Sequence, residues 1–442
     1  MSGPKVVRIV TREESEAICR GLLARIDAAL EQWTRAGRLH DCIDDAAIAA
    51  AERRRDSLSA LVSQGRFADM QTQAPAEVSF LRADMTTRLA KVVAAKAVAR
   101  THARRRVEAA TTLLRALREA GIDVGAETVR GLEQGDQGAL AEGFRALAGN
   151  RAPSETSSAL AHKLRLGETP ASFADWLAGQ PAPEVDPGIA RIEARLDELA
   201  TLEVATPIEG LHARLEEARR AQPSRRSLIL DGLEVETGRV LADARRVAQL
   251  LSELRLRVAE LKEVGLPCDA FDEAGAATPS EALERALAAA DMALAEHSAK
   301  AAADSRRAAV MKGLAGLGYE VREGMTTTFA RSGKLVVADS ARPGYGVELS
   351  GAADARQLQM RPVALERAGQ ASDPSRDRDA ETIWCGQVTQ LAKALADAGG
   401  GLEIIRSLPI GATPLKRITE AASKENERVE TEKMVERKLR ST

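Results

Sequence analysis

The chemistry this chain's residue types would most readily support is metal-assisted hydrolysis at a pair of carboxylates. Asp339 closes the run Lys334-Leu-Val-Val-Ala-Asp339, Ala341-Arg-Pro-Gly344 turns the chain, and Glu348 stands in the alternating run Tyr345-Gly-Val-Glu-Leu-Ser350. An Asp and a Glu brought to one divalent cation would polarise a water for attack on a phosphodiester. A general base for that water is missing from the stretch. No lysine or histidine lies between Lys334 and Lys393, and an arginine stays protonated. The two acids also read as a strand-end residue and a solvent-facing position of an ordinary sheet. The expectation is that neither is catalytic.

Basic clusters are the second candidate. Arg53-Arg-Arg55 and Arg104-Arg-Arg106, with Arg100 and His102 beside the second, would hold phosphates or an acidic partner if they shared a face. Successive helical residues lie about 100° apart, so three in a row point three ways. Aromatic side chains that could stack on bases are 2% of the chain. Arg100, Arg104, Arg105 and Arg106 are therefore expected on a salt-paired helix surface, with phosphate or partner contact as the alternative. Cys19, Cys42, Cys268 and Cys385 and the five histidines are scattered without ligand spacing. No cofactor or metal site is expected, and Gly313 to Gly318 and Gly399 to Gly401 read as helix termination.

The carboxylates sit among short elements. Gly318 to Gly324, Thr326 to Ala330, Lys334 to Asp339, Tyr345 to Ser350 and Gln357 to Pro362 read as strands of an antiparallel meander. A helix from Asp379 to Ala398 follows, with Ile383, Trp384, Val388 and Leu391 on its buried side, and then a strand from Leu402 to Arg406. In this order of helix, meander, helix and strand, with an Asp ahead of a turn and a Glu on the next strand, the stretch resembles restriction-endonuclease-like nucleases. The resemblance covers about a quarter of the chain and implies a metal-dependent nuclease with Asp339 and Glu348 at its metal. It departs at Ser350, where that superfamily's Glu-x-Lys has its lysine, and by one additional strand.

The rest reads as helix. From Pro75 to Gly121 the residues Leu81, Met85, Leu89, Val92, Ala99, Ala103, Ala110, Leu114 and Leu117 form one stripe, with Pro75 placed as a first-turn proline. Such a helix runs about 70 Å and must project or span. Ser227 to Gly265 repeats the plan, and Leu117-Arg-Glu-Ala-Gly121 matches Leu261-Lys-Glu-Val-Gly265. Before the first long helix come a strand (Lys5 to Val10), a helix capped by Thr11-Arg-Glu-Glu14 and a helix from Ile43 to Phe67. Short helices from Ser154 and around Phe173 to Leu177, then a proline-rich linker at 180–187, separate the copies. A third long helix starts at Pro279 under a Thr278 cap, and Leu415 to Arg440 reads as a charged helix.

The fold class expected is mainly α: an elongated helical body with long coiled-coil-like helices, an internally duplicated module, and a small C-terminal α+β domain with an antiparallel sheet. Its units are 1–180, 187–300, 301–412 and a tail at 413–442. With 63 basic and 65 acidic residues the chain has no field that favours nucleic acid or an anionic membrane. No apolar run reaches eighteen residues and no signal-peptide core follows Met1, so a cytoplasmic location is expected. The function expected is a non-catalytic scaffold or adaptor in a bacterial multi-component system, bound to protein partners and, through its long helices, to a second copy of itself. The alternatives are the metal-dependent nuclease and a nucleic-acid clamp.

Overall fold

A computed structural model describes residues 4–149, 186–351, 357–366 and 373–419; among these are twelve helices and six strands. Thr11 accepts a hydrogen bond from the Glu14 amide (3.2 Å) and starts α1 (Arg12–Leu39). Its buried side, including Ile26 and Trp33, packs on α2 (Asp45–Ser63) and on the first turns of α3 (Phe67–Glu119). The expected second helix stops short of Phe67 because Gly65, at φ 74°, ends it. The long helix then begins eight residues before Pro75, which therefore lies inside it. An interior proline costs about 3 kcal/mol; here Met70, Ala74, Val78 and Leu81 are buried on both sides of it and hold the helix together.

α3 buries its apolar side chains mainly toward its two ends. Leu113 and Leu117 meet Leu132 of α4 (Ala126–Glu133) and Leu140 of α5 (Gln137–Gly149). Between Arg82 and Ala109 no residue is fully buried; Met85 still packs in part on the α1 core, and the expected stripe lapses through Leu89, Val92, Ala99 and Ala103. After the undescribed residues 150–185, which hold the two expected short helices and nearly all of the linker, Pro187 opens α6 (Pro187–Leu199). It is followed by α7 (Ile208–Arg220) and by α8 (Pro223–Glu263), again a single unbroken helix. α3 and α8 end alike: Gly121 and Gly265 take φ 65° and 72°, and the amides of Ile122 and Leu266 return to the carbonyls of Leu117 and Leu261 at 3.0 and 2.9 Å. One short turn, α9 (Asp269–Asp272), leads to α10 (Ser280–Gly316). Thr278 does not cap α10, because its hydroxyl accepts from the Gly275 amide (2.9 Å) instead.

The last third forms a sheet under two helices. Its strands are β1 (Lys5–Val10), β2 (Lys334–Ala338), β3 (Tyr345–Ser350), β4 (Gln357–Glu366), β5 (Gly401–Ser407) and β6 (Lys416–Thr419), with α11 (Met325–Ser332) before β2 and α12 (Pro374–Asp397) before β5. The order is β2-β3-β4-β1-β5, antiparallel throughout, and β6 adds in parallel to the far half of β4. Residues 5–10, expected to open the first helical module, are thus an interior strand of the C-terminal sheet. Three local expectations fail for identifiable reasons. Thr326 to Ala330 is helical because Met325 and Phe329, one turn apart, are both buried and left-handed Gly324 and Gly333 bound the segment. Tyr319 makes only a single bridge, to Asp339. Lys416 to Thr419 is strand rather than charged helix, since β4 offers it a free edge beyond Pro362; residues 420–442 lie outside the described part.

Val310, Met311 and Leu314 of α10 and Trp384, Val388 and Leu391 of α12 cover one face of the sheet, against Val7, Val337, Val347 and Leu349. α10 therefore belongs to both parts of the molecule, since its other half packs Leu283, Ala290 and Leu294 on α8. Where β1 runs straight into α1, Thr11 Oγ1 meets Ser305 Oγ at 2.7 Å, and Arg306 clasps both oxygens of Glu14 at 2.5 and 3.1 Å. Asp373 caps α12 through the amides of Ser375 and Arg376, five residues ahead of the expected start. Ile383, expected in the core, is 46% exposed because it lies a quarter-turn from the line Trp384, Val388, Leu391. Trp384→Ala should destabilise the sheet domain by about 3–5 kcal/mol, whereas Ile383→Ala should change it by less than about 0.5 kcal/mol. Urea denaturation followed by hydrogen exchange in β3 and β4 distinguishes the two.

Candidate functional site

Asp339 follows β2 and shares the pleat of Val337, the face covered by α12. Its carboxylate accepts the Ala341 amide (2.9 Å) and pairs with Arg342. Arg342 also donates to Gln387 of α12 (3.3 Å), whose oxygen takes the Tyr319 hydroxyl at 2.7 Å. The Tyr319 ring meets Trp384 edge-on at 6.2 Å. Burial first, and Asp339 second, push the Tyr319 hydroxyl's pKa above its ordinary range, so it stays a donor. Asp339 is in effect the closing member of a turn: it ties Ala341-Arg-Pro-Gly344 to the helix layer.

Glu348 occupies the other face. It lies directly opposite Val336 on β2 and Arg361 on β4, one step out of phase with the core positions Val347 and Leu349. Although 2% exposed, it is fully partnered: Arg361 holds one carboxylate oxygen and Lys416 Nζ the other at 2.7 Å. Burial alone would raise its pKa, but the hydrogen bonds from Arg361 and Lys416 outweigh it and hold the carboxyl below the usual glutamate range. A lysine therefore does stand beside Glu348, supplied by β6 rather than by position 350, and no spacing rule within the meander could have found it. The sheet separates Asp339 from Glu348, one acid on each face. Each neutralises its own arginine, and the geometry offers no shared point at which one cation would meet both.

Of the four candidate arginines of α3, Arg100, Arg104 and Arg105 are engaged. Arg100 reaches Asp197 (2.5 Å) and Glu193 (3.5 Å) on α6, and Arg104 and Arg219 of α7 both pair with Glu193, which is buried. Arg105 is partly buried and likewise engaged, while Arg106 sits next to it on the same half-exposed turn. Arg54 and Arg55 pair with Glu77 and Asp27 at 3.0 and 2.7 Å. Arg54, Arg55, Arg100 and Arg104 thus stitch helix to helix; the acids they reach lie tens of residues away and leave no local mark in the sequence.

Burial raises the thiol pKa of Cys19 and of Cys42, which keeps both in the unreactive protonated form. A cleft of about 410 Å³ between α1, α8 and α9 is lined by Glu31, Arg35, Arg255, Lys262, Phe271 and Asp272. Its cations are closed off internally: Arg35 and Arg255 share Glu203 (2.5 and 3.7 Å) and Lys262 holds Asp272 (3.1 Å). Among the described residues no three His, Cys, Asp or Glu side chains gather as a metal site, and no helix is long and apolar enough to cross a membrane. No family model, curated protein or solved structure matches the chain.

Because the folded state lowers the pKa of Glu348, its contribution to stability is complete above the ordinary glutamate range and is lost as pH falls below it. The unfolding midpoint of the sheet domain should drop between about pH 5 and 3. Glu348→Gln should flatten that drop and cost about 1–3 kcal/mol at neutral pH; denaturation at a series of pH values reads both. With Mg²⁺ or Mn²⁺ the full chain should leave single-stranded and duplex DNA and RNA uncut, since neither acid is free to ligate. Cleavage abolished by both Asp339→Ala and Glu348→Ala would refute this.

Proposed function

We propose that this chain is a non-catalytic scaffold or adaptor of the bacterial cytoplasm, whose long helices set the spacing between bound proteins while the sheet domain anchors them. The observation that carries this reading is the thinly packed middle of α3. From Arg82 to Ala109 the helix has no fully buried residue: between the α1 core at one end and α4 and α5 at the other, Met85 packs in part on the α1 core, Arg88 lies over Trp33, and Arg100 and Arg104 pair with Asp197 and Glu193 of α6. About 40 Å of helix thereby contributes no fully buried side chain, and Val98 and Val107 stand exposed on it. A helix maintained at that length with so little burial is suited to presenting a surface to another protein.

The shared order of two helices, a long helix and a glycine stop in each half supports an internal duplication, and with it two related arms of unequal length. The balanced charge and the internal pairing of Arg100 and Arg104 weigh against the nucleic-acid clamp. The test is affinity purification of the tagged full chain from its native host, run beside a Val98→Glu, Val107→Glu double variant. Both side chains are exposed, so the fold should be unchanged by circular dichroism. Stoichiometric partners that are at least tenfold depleted in the variant are expected. The same partners at the same yield in both preparations would overturn the reading.

A further inference from the structure

The barest large apolar side chains of the molecule lie together on α8. Leu228 and Val235 are 75% and 76% exposed and stand two turns apart on one ridge, with Gly232 and Ala242 exposed beside them. The ridge is the reverse of the buried face, where Leu230, Leu233, Leu241 and Ala244 meet α6 and α7. Its flanks are closed, because Glu234 is held by Arg191 at 3.0 Å and Glu236 by Arg214. Two charged residues on the ridge differ from these: Asp231 and Arg239, both exposed, make no ion pair to any described residue. They stand four residues to either side of Val235.

This arrangement is self-complementary, and we propose that the α8 ridge binds a second copy of the same chain, antiparallel, about a two-fold axis through Val235. In that register residue numbers facing each other add to twice the axial one. Val235 meets its own copy, Asp231 faces Arg239 of the second copy, Arg239 faces Asp231 of the second copy, and the large Leu228 faces the small Ala242. Asp231 and Arg239 thus meet in two opposite-charge pairs, which a parallel pairing in the same register, Asp231 on Asp231 and Arg239 on Arg239, would reverse; Glu234 and Glu236, which also fall opposite each other at the flanks, are each neutralised within their own chain by Arg191 and Arg214. The contact runs from Leu228 to Ala242, about four helical turns, and so buries less than the roughly 1,200 Å² of a standard interface. The dimer is therefore weak, with a dissociation constant on the order of 10–100 µM. This goes beyond the scaffold reading, as it concerns another helix and another partner, and it stands or falls separately.

Sedimentation velocity of the full chain from about 5 to 500 µM spans that range. A weight-average sedimentation coefficient that rises from monomer toward dimer is expected. Val235→Glu should abolish the rise. Asp231→Arg and Arg239→Asp should each weaken association about tenfold by turning two attractive pairs into two repulsive ones, and the double variant Asp231→Arg, Arg239→Asp should restore it. All of these side chains are exposed, so circular dichroism and melting should match the parent chain. Val235→Cys should form a disulfide-linked dimer on mild oxidation, because the axis brings the two sulfurs together. A concentration-independent monomer, a dimer indifferent to Val235→Glu, or single swaps that weaken without rescue by the double would each overturn the proposal.

Discussion

The clasp between Arg306 and Glu14 is the interaction on which the relative placement of the two halves depends. Both side chains are largely withdrawn from solvent, with the guanidinium 7% and the carboxylate 15% exposed. Removing one member of such a pair leaves an uncompensated charge and typically costs about 3–5 kcal/mol. Thr11 and Ser305 add a hydroxyl contact in the same place, while Thr11 also caps α1. No loop separates β1 from α1, and α10 passes unbroken from the helical core to the sheet core. Two covalent connections and one ion pair therefore determine the direction in which α1 leaves the sheet, and α3 and α8 take their directions from α1.

Away from that junction the body is held by a different balance. With 2% aromatic residues the chain has few large side chains to bury, and its helical cores are leucine and alanine, with Trp33 the largest member of one of them. Trp33 illustrates the economy. Its indole donates to Asp84 at 2.9 Å, Asp84 pairs with Arg88, and Arg88 stacks on the Trp33 ring at 5.6 Å. Exposed ion pairs individually contribute little, but those around Glu193 converge on a buried carboxylate and fix where α3 and α7 touch α6. In this protein arginine does much of what aromatic residues do elsewhere: it specifies which helix meets which.

How much of this could be read beforehand depends on the range over which each signal acts. The two long helices were legible because a stripe of apolar residues is a local pattern, and their ends were legible because Gly121 and Gly265 must adopt positive φ. Starts were less so: Pro75 looks like a boundary until Ala74 and Val78 are known to be buried on α1. Thr326-Thr-Thr328 imitates a strand by β-branching, and only the pairing of Met325 with Phe329 reveals the helix. Glu348 reads from the sequence as a solvent-facing position yet is buried, because Arg361 and Lys416 close over it, and whether it converges with Asp339 is a question of pleat phase across β2 and β3, which the turn between them conceals. Lys416 could not have been linked to Glu348 at all, since it reaches it across 68 residues.

β1 was recognisable as a strand, but its position between β4 and β5 has a consequence for how the protein is made. Its partners span Gln357 to Met360 and Gly401 to Ser407. At about 5–20 residues per second a ribosome needs on the order of 20–80 s to deliver the second of them after the first strand has emerged. The helical body, whose contacts are closer in sequence, can assemble in that interval, and it carries Lys5 to Val10 at its base as a strand with both edges open. Such an edge recruits whatever backbone is nearby. The yield of the finished head therefore rests on keeping those six residues unoccupied, or reversibly held by a chaperone, until translation has passed Ser407.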